Sequence, residues 1–180
     1  MEGQMRLRSL FTLSLLLTLC ACGPLMLRSQ RYTAPLEGGA LVTFLQPFEV
    51  GKDAAFDLWD GDRYLGKLSK GTLIDLQVEA GEHFFMAKAS NWSVIKAKLA
   101  PGKRYYVVAR PAVNAAEIAV VLEPATLEDE ASELTKWLSR LTPVSVEPEK
   151  ALLYATHHAN EARAIRRKAK AGEIYVRVLE

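Results

Sequence analysis

The chain has 180 residues, 49% of them hydrophobic and 24% charged, with a formal net charge of +2. That balance excludes a disordered polyelectrolyte and argues against general nucleic-acid binding, which needs a strongly basic surface. The two cysteines, Cys20 and Cys22, both lie near the N-terminus, so the remaining chain offers neither a disulfide nor a cysteine-type metal site.

Arg6 and Arg8 precede an apolar run from Leu10 to Leu19. A run of about ten residues is too short to cross a hydrocarbon core, which takes about 20 as a helix. It suits the h-region of a cleaved signal. Leu19-Cys20-Ala21-Cys22 resembles the bacterial lipobox, in which a small residue precedes the cysteine that receives lipid. The resemblance implies a signal peptide over residues 1–21 and diacylglycerol with a palmitate-type acyl chain on Cys22. Cys20 fits less well, because Leu19 stands where the peptidase needs a small residue. An ordinary secretory signal with incidental cysteines is the alternative. Gly23, not Asp, follows Cys22. By the sorting rule of enteric bacteria this implies the outer membrane, facing the periplasm. Membrane lipid, reached through Cys22, is therefore the first expected partner. Residues 22–39, with Pro24, Pro35 and Gly38-Gly39, are expected to be the lipidated cysteine and a flexible tether.

From Ala40 the apolar pattern takes a period of two, beginning with Leu41 to Leu45. Gly51, Gly61, Gly71 and Gly81 then punctuate the chain on a ten-residue beat, the spacing of turns in a sandwich or barrel. Strands are expected at 55–59, 63–68, 73–78, 83–88, 91–99, 105–109 and 117–122, with a hairpin turn at Asp60-Gly61. Three stretches share a further pattern. Leu58 to Leu68 reads as a "variable-Asp-Gly-x-x-hydrophobic-Gly-x-Leu" hairpin. Ala80-Gly81-Glu82-His83 reads as a "Pro-Gly-x-His" turn with Ala80 in place of Pro, and Pro101 to Val107 as a "Pro-Gly-Lys-x-Tyr-Tyr" strand entry. In this order they resemble the PEGA-like β-domain, especially an uncharacterised family of bacterial lipoproteins built on it. The resemblance spans roughly residues 40–141 and implies a β-domain over 40–124. Gln46-Pro47 stands where that family often has Arg-Pro, and the C-terminal extension over 125–180 is unusually long.

That extension changes period. Thr126 to Asp129 reads as a capping box, and Leu127, Ala131, Leu134, Leu138 and Leu141 then form one apolar helix face, ended by Thr142-Pro143. Pro148 suits the first turn of a second helix and Gly172 its C′ position. Leu152, Ala155, Ala159, Ala162 and Ile165 make its thin apolar side, and residues 174–179 alternate as a final strand. The expected fold is α+β: a mainly antiparallel β-sandwich of about seven strands, two C-terminal helices and a last strand.

Catalytic chemistry finds little support. No Gly-x-Ser-x-Gly elbow and no phosphate-cradling glycine loop before a helix is present. His157, His158 and Glu161 have metal-ligand types at helical spacing but amount to one half-site, so surface histidines are expected, with neither metal nor cofactor. His83 reads as a turn or packing residue. Asp53, Asp57, Asp60, Asp62 and Asp75 read as turn residues, and Trp59, Trp92, Tyr105 and Tyr106 as core or cross-strand partners. Arg163, Arg166, Arg167 and Lys170 recur at three-to-four spacing as one basic stripe, a candidate contact for an anionic surface. Its plain explanation is that cations near a helix C-terminus favour the dipole. The sequence thus points to a non-catalytic envelope lipoprotein that presents a binding or structural module to a protein or envelope polymer. The alternative is a cell-wall or glycan hydrolase, which needs a cleft with facing carboxylates or a histidine beside Ser or Asp.

Overall fold

A computed structural model describes residues 25–48, 54–114, 117–125 and 127–180, without the side chains of 114 and 127–130. Among these residues eleven strands form two sheets, and each sheet carries one C-terminal helix on its outer face. The six-stranded sheet has the order β1-β10-β5-β2-β8-β9: β1 (Met26–Arg28), β2 (Gly39–Gln46), β5 (Thr72–Glu79), β8 (Arg104–Asn114), β9 (Glu117–Ala125) and β10 (Thr142–Val146). The five-stranded sheet has the order β11-β7-β6-β3-β4: β3 (Ala55–Asp60), β4 (Arg63–Ser69), β6 (Gly81–Lys88), β7 (Trp92–Leu99) and β11 (Arg177–Leu179). Helix α1 spans Leu127–Arg140 and α2 spans Pro148–Ala171.

The α+β class and the two C-terminal helices agree with the sequence reading, but the strands outnumber the expected seven and both sheets are mixed. Three pairings are parallel: β2 with β8, β5 with β10 and β7 with β11. Each joins strands far apart in sequence, so no hairpin signal announces it.

Period-two alternation builds the core. Val42 and Phe44 of β2 and Val107 of β8 face Phe56, Leu58, Phe85 and Ile95 of the opposing sheet, all fully or almost fully buried. Phe44 and Phe85 meet edge-on with centroids 5.2 Å apart, a geometry worth about 0.5–1.5 kcal/mol beyond the area it buries. The alternate positions form two outer layers. Leu45, Tyr106 and Val108 lie under Leu134, Trp137 and Leu138 of α1. Trp59, Tyr64, Phe84 and Met86 lie under Ala151, Tyr154, Ala155, Ala159, Ala162 and Ala169 of α2. The alanines allow α2 to settle closely on the aromatic floor.

Residues 25–39, expected as a flexible tether, are docked instead. Met26–Arg28 pairs antiparallel with β10 at the edge of the larger sheet. The thioether of Met26 lies against Gly66, where an added Cβ would meet it at 2.9 Å. Gly66 also has φ +124° and follows a register shift between Leu58 and Trp59, so a side chain there is opposed by both backbone and neighbour. Beyond β1 the chain crosses the outer face of the larger sheet. Arg31 Nε donates to Asp75 Oδ2 at 2.7 Å, Leu36 N to Gln77 Oε1 at 3.0 Å, and Arg104 Nη2 to the Thr33 carbonyl at 2.6 Å. Polar side chains of strands thus hold backbone that composition reads as free linker.

Candidate functional site

Cys22 lies outside the described residues. Described structure starts at Leu25, whose carbonyl accepts a hydrogen bond from Glu147 N at 3.0 Å, immediately before α2. Glu147 also caps α2, its carboxylate accepting from Glu149 N and Lys150 N. At the other end Gly172, at φ 74°, closes the helix with Gly172 N donating to the Ala169 carbonyl and Glu173 N to that of Lys168.

Two of the five aspartates read as turn residues have other roles, and Asp53 lies outside the described residues. Asp57, within β3, accepts from the Tyr64 hydroxyl and, through its second oxygen, from the Tyr154 hydroxyl, both at 2.9 Å. The two tyrosine rings stack at 4.3 Å. Burial, reinforced by the Asp57 charge, pushes both phenols well above their ordinary range, so both remain donors and pin α2 to the sheet. Asp75, within β5, is the acceptor that draws in Arg31.

The basic residues do not form one stripe. Arg163 and Arg167 are exposed on the outward side of α2, with Lys168 beside them, and none forms an ion pair among the described residues. Arg166 turns inward over Gly61 and reaches Asp62 at 3.6 Å. Lys170 sits with its ammonium 5.3 Å from the centroid of the Phe84 ring. The apolar side also differs from the sequence reading: Leu152 is 73% exposed and its neighbour Leu153 62%. Residue 152 lies about 80° around the helix from Ala162 at 100° per residue, and that rotation was the available signal.

The histidine cluster on α2 is likewise dispersed. The His158 ring stacks on Tyr154 at 4.4 Å. Glu161 accepts from Lys88 Nζ at 2.6 Å and from Trp92 Nε1 at 3.0 Å, contacts that hold its carboxyl below the usual range. Among the described residues no group of three or more His, Cys, Asp or Glu gathers as a metal requires.

An open cleft of about 490 Å³ lies at one end of the sandwich, lined by the 36–39 turn, Asp60, Arg63, Gln77, Glu79 and His83. His83 Nδ1 is 2.9 Å from Asp60 Oδ2 and Nε2 is 3.0 Å from the Glu79 carbonyl, with the ring stacked on Phe85. A histidine beside an aspartate is a hydrolase-like pair. Here, however, the second nitrogen is engaged by a backbone carbonyl, and among the described residues no Ser, Thr, Cys or Lys lines the cleft as a nucleophile would. Glu37 and Glu79 are exposed, without the desolvated pocket that a general-acid carboxyl requires.

Comparison with protein-family models, with curated proteins and with solved structures finds no match. The site stands on its own geometry. Its chemistry is that of a pin: His83, with acceptors at both nitrogens, ties the β3–β4 turn to the end of β5. The hydrogen bond to Asp60 raises its pKa above 6.5, against the opposing effects of burial and of Arg63. A raised pKa in the folded state stabilises the protein fully below the ordinary value and loses that stabilisation as pH rises through the folded value. Melting temperature is therefore expected to fall as pH rises through the neutral range, and Asp60→Asn to flatten this slope. Superimposable melting profiles of the two proteins would remove the pin from the account.

Proposed function

We propose that this protein is a non-catalytic envelope lipoprotein. Its PEGA-like β-sandwich is held by lipid on Cys22 at the periplasmic face of the outer membrane, as a binding or structural module. The observation that carries the reading is the ordered set of basic n-region, short apolar run and Leu19-Cys20-Ala21-Cys22-Gly23, followed within three residues by docked chain at Leu25. Among the described residues no helix is long and apolar enough to cross a membrane, so attachment would rest on the acyl chains. The three turns behind the PEGA-like resemblance fall at real strand junctions, Asp60-Gly61, Ala80-Gly81 and Pro101-Gly102. Tethering raises the effective concentration of the domain for a neighbouring protein or envelope polymer, without any catalytic step. The hydrolase alternative would need Nε2 of His83 released from the Glu79 carbonyl and a nucleophile brought into the cleft.

Cys22→Ala is expected to abolish labelling by an alkyne fatty acid in cells and to release the protein from membranes, whereas Cys20→Ala keeps both label and attachment. Equal labelling of the two variants would overturn the assignment of the anchor.

A further inference from the structure

Two residues, Gly23 and Pro24, separate Cys22 from docked structure at Leu25, three steps along the chain. Residues along a chain span at most about 3.6 Å each, so Cys22 lies within about 11 Å of Leu25 whatever path Gly23 and Pro24 take. A tether over the whole of residues 22–39 would reach several times as far. Leu25 is bonded to the entry of α2 through Glu147 N, and Leu152 and Leu153 follow within two turns. Both leucines project into solvent beside the point where the chain leaves for the membrane. Scattered single exposed leucines need no explanation, but an adjacent pair next to an anchoring point is different.

Further along the outward side, Arg163, Arg167 and Lys168 stand exposed about 15–23 Å from Leu153 at 1.5 Å per residue. The acid in this half of the helix, Glu161, is paired with Lys88 at 2.6 Å and accepts from Trp92, so it does not offset Arg163 and Arg167. Leucines at one end and cations at the other, on one helix of about 36 Å, is the composition of an interfacial helix, which sinks its apolar residues about 5–10 Å into the headgroup boundary.

We propose that the outward side of α2 lies flat on the anionic leaflet that holds the anchor, with Leu152 and Leu153 inserted and Arg163, Arg167 and Lys168 over the headgroups. The proposal rests on the lipoprotein reading and fixes which surface is left for a partner: α1 and the outer face of the larger sheet point away from the membrane.

The test uses the full lipidated protein in vesicles containing phosphatidylglycerol. Single cysteines at Leu153→Cys, Arg167→Cys and Lys136→Cys carry an environment-sensitive dye; acylated Cys22 leaves no competing thiol. Position 136 is an exposed site on α1 and serves as the reference. Brominated lipid is expected to quench the dye at 153 strongly and at 167 measurably, and to leave 136 unchanged. Leu152→Glu with Leu153→Glu is expected to cut quenching at 167 while the protein stays with the vesicles. Quenching at 153 no greater than at 136, in protein that sediments with vesicles, would overturn the proposal, and quenching at 153 alone would overturn the flat orientation. Failure of the wild type to remain with membranes is a separate result, which removes the anchor itself.

Discussion

Trp59→Ala is expected to destabilise the domain by about 3–5 kcal/mol, the range for emptying a large aromatic site in a packed interior. Trp59 is 1% exposed and forms the floor on which α2 rests. Its ring meets Tyr64 edge-on at 5.0 Å and lies 6.2 Å from Tyr154, so its removal loosens the tyrosine pair that grips Asp57. Trp59→Phe keeps a ring in place and removes an indole N–H that finds no acceptor among the described residues. It should cost less than half as much, because a buried unpaired donor carries its own penalty. Urea titration of the three proteins checks the order. A phenylalanine variant as unstable as alanine would mean that indole volume, rather than ring contact, holds the helix.

Asp75→Ala is expected to cost about 2–4 kcal/mol, toward the lower side of what breaking a buried ion pair does, because Arg31 keeps partial access to water. The carboxylate is 3% exposed and accepts from Arg31 Nε at 2.7 Å, Thr43 Oγ1 at 2.6 Å and Tyr32 N at 3.2 Å. Without it three donors lose their acceptor and the crossing segment loses its central fastening. Hydrogen exchange should then accelerate at Tyr32 and Leu36 well before β2 is affected. Uniform acceleration over β2, β5 and the crossing segment would show that Asp75 supports the sheet as a whole.

The local features were legible because each is written in neighbouring residues. Gly61, Gly71, Gly81 and Gly102 all have positive φ at strand junctions, as the ten-residue beat and the Pro-Gly pair implied. Pro148 and Gly172 bracket α2 as their backbone preferences dictate. What the sequence concealed is non-local or too short. Met26–Arg28 has three residues, too few to show alternation, and β10 contains Pro143, which reads as a helix stop. Pro143 is accommodated because its carbonyl still accepts from Ser29 N at 3.0 Å. Parallel pairing of β2 with β8 has no sequence spacing of its own. The basic stripe was half visible: rotation by 100° per residue separates Arg166, which meets Asp62, from Arg163 and Arg167. The exposed leucines were hidden because an apolar residue on an amphipathic helix is read as core until its angle is measured.

The closing of both sheets by late segments governs when the chain can fold. Met26 finds its partner only when Val146 is available, and β7 gains its outer neighbour only when Val178 arrives. Sequence-distant pairings of this kind are slow to form, since loop entropy is spent before contacts compensate it. A chain emerging N-terminus first therefore cannot seal its first strand until nearly all of it is available, so completion of the fold waits on the C-terminal segment.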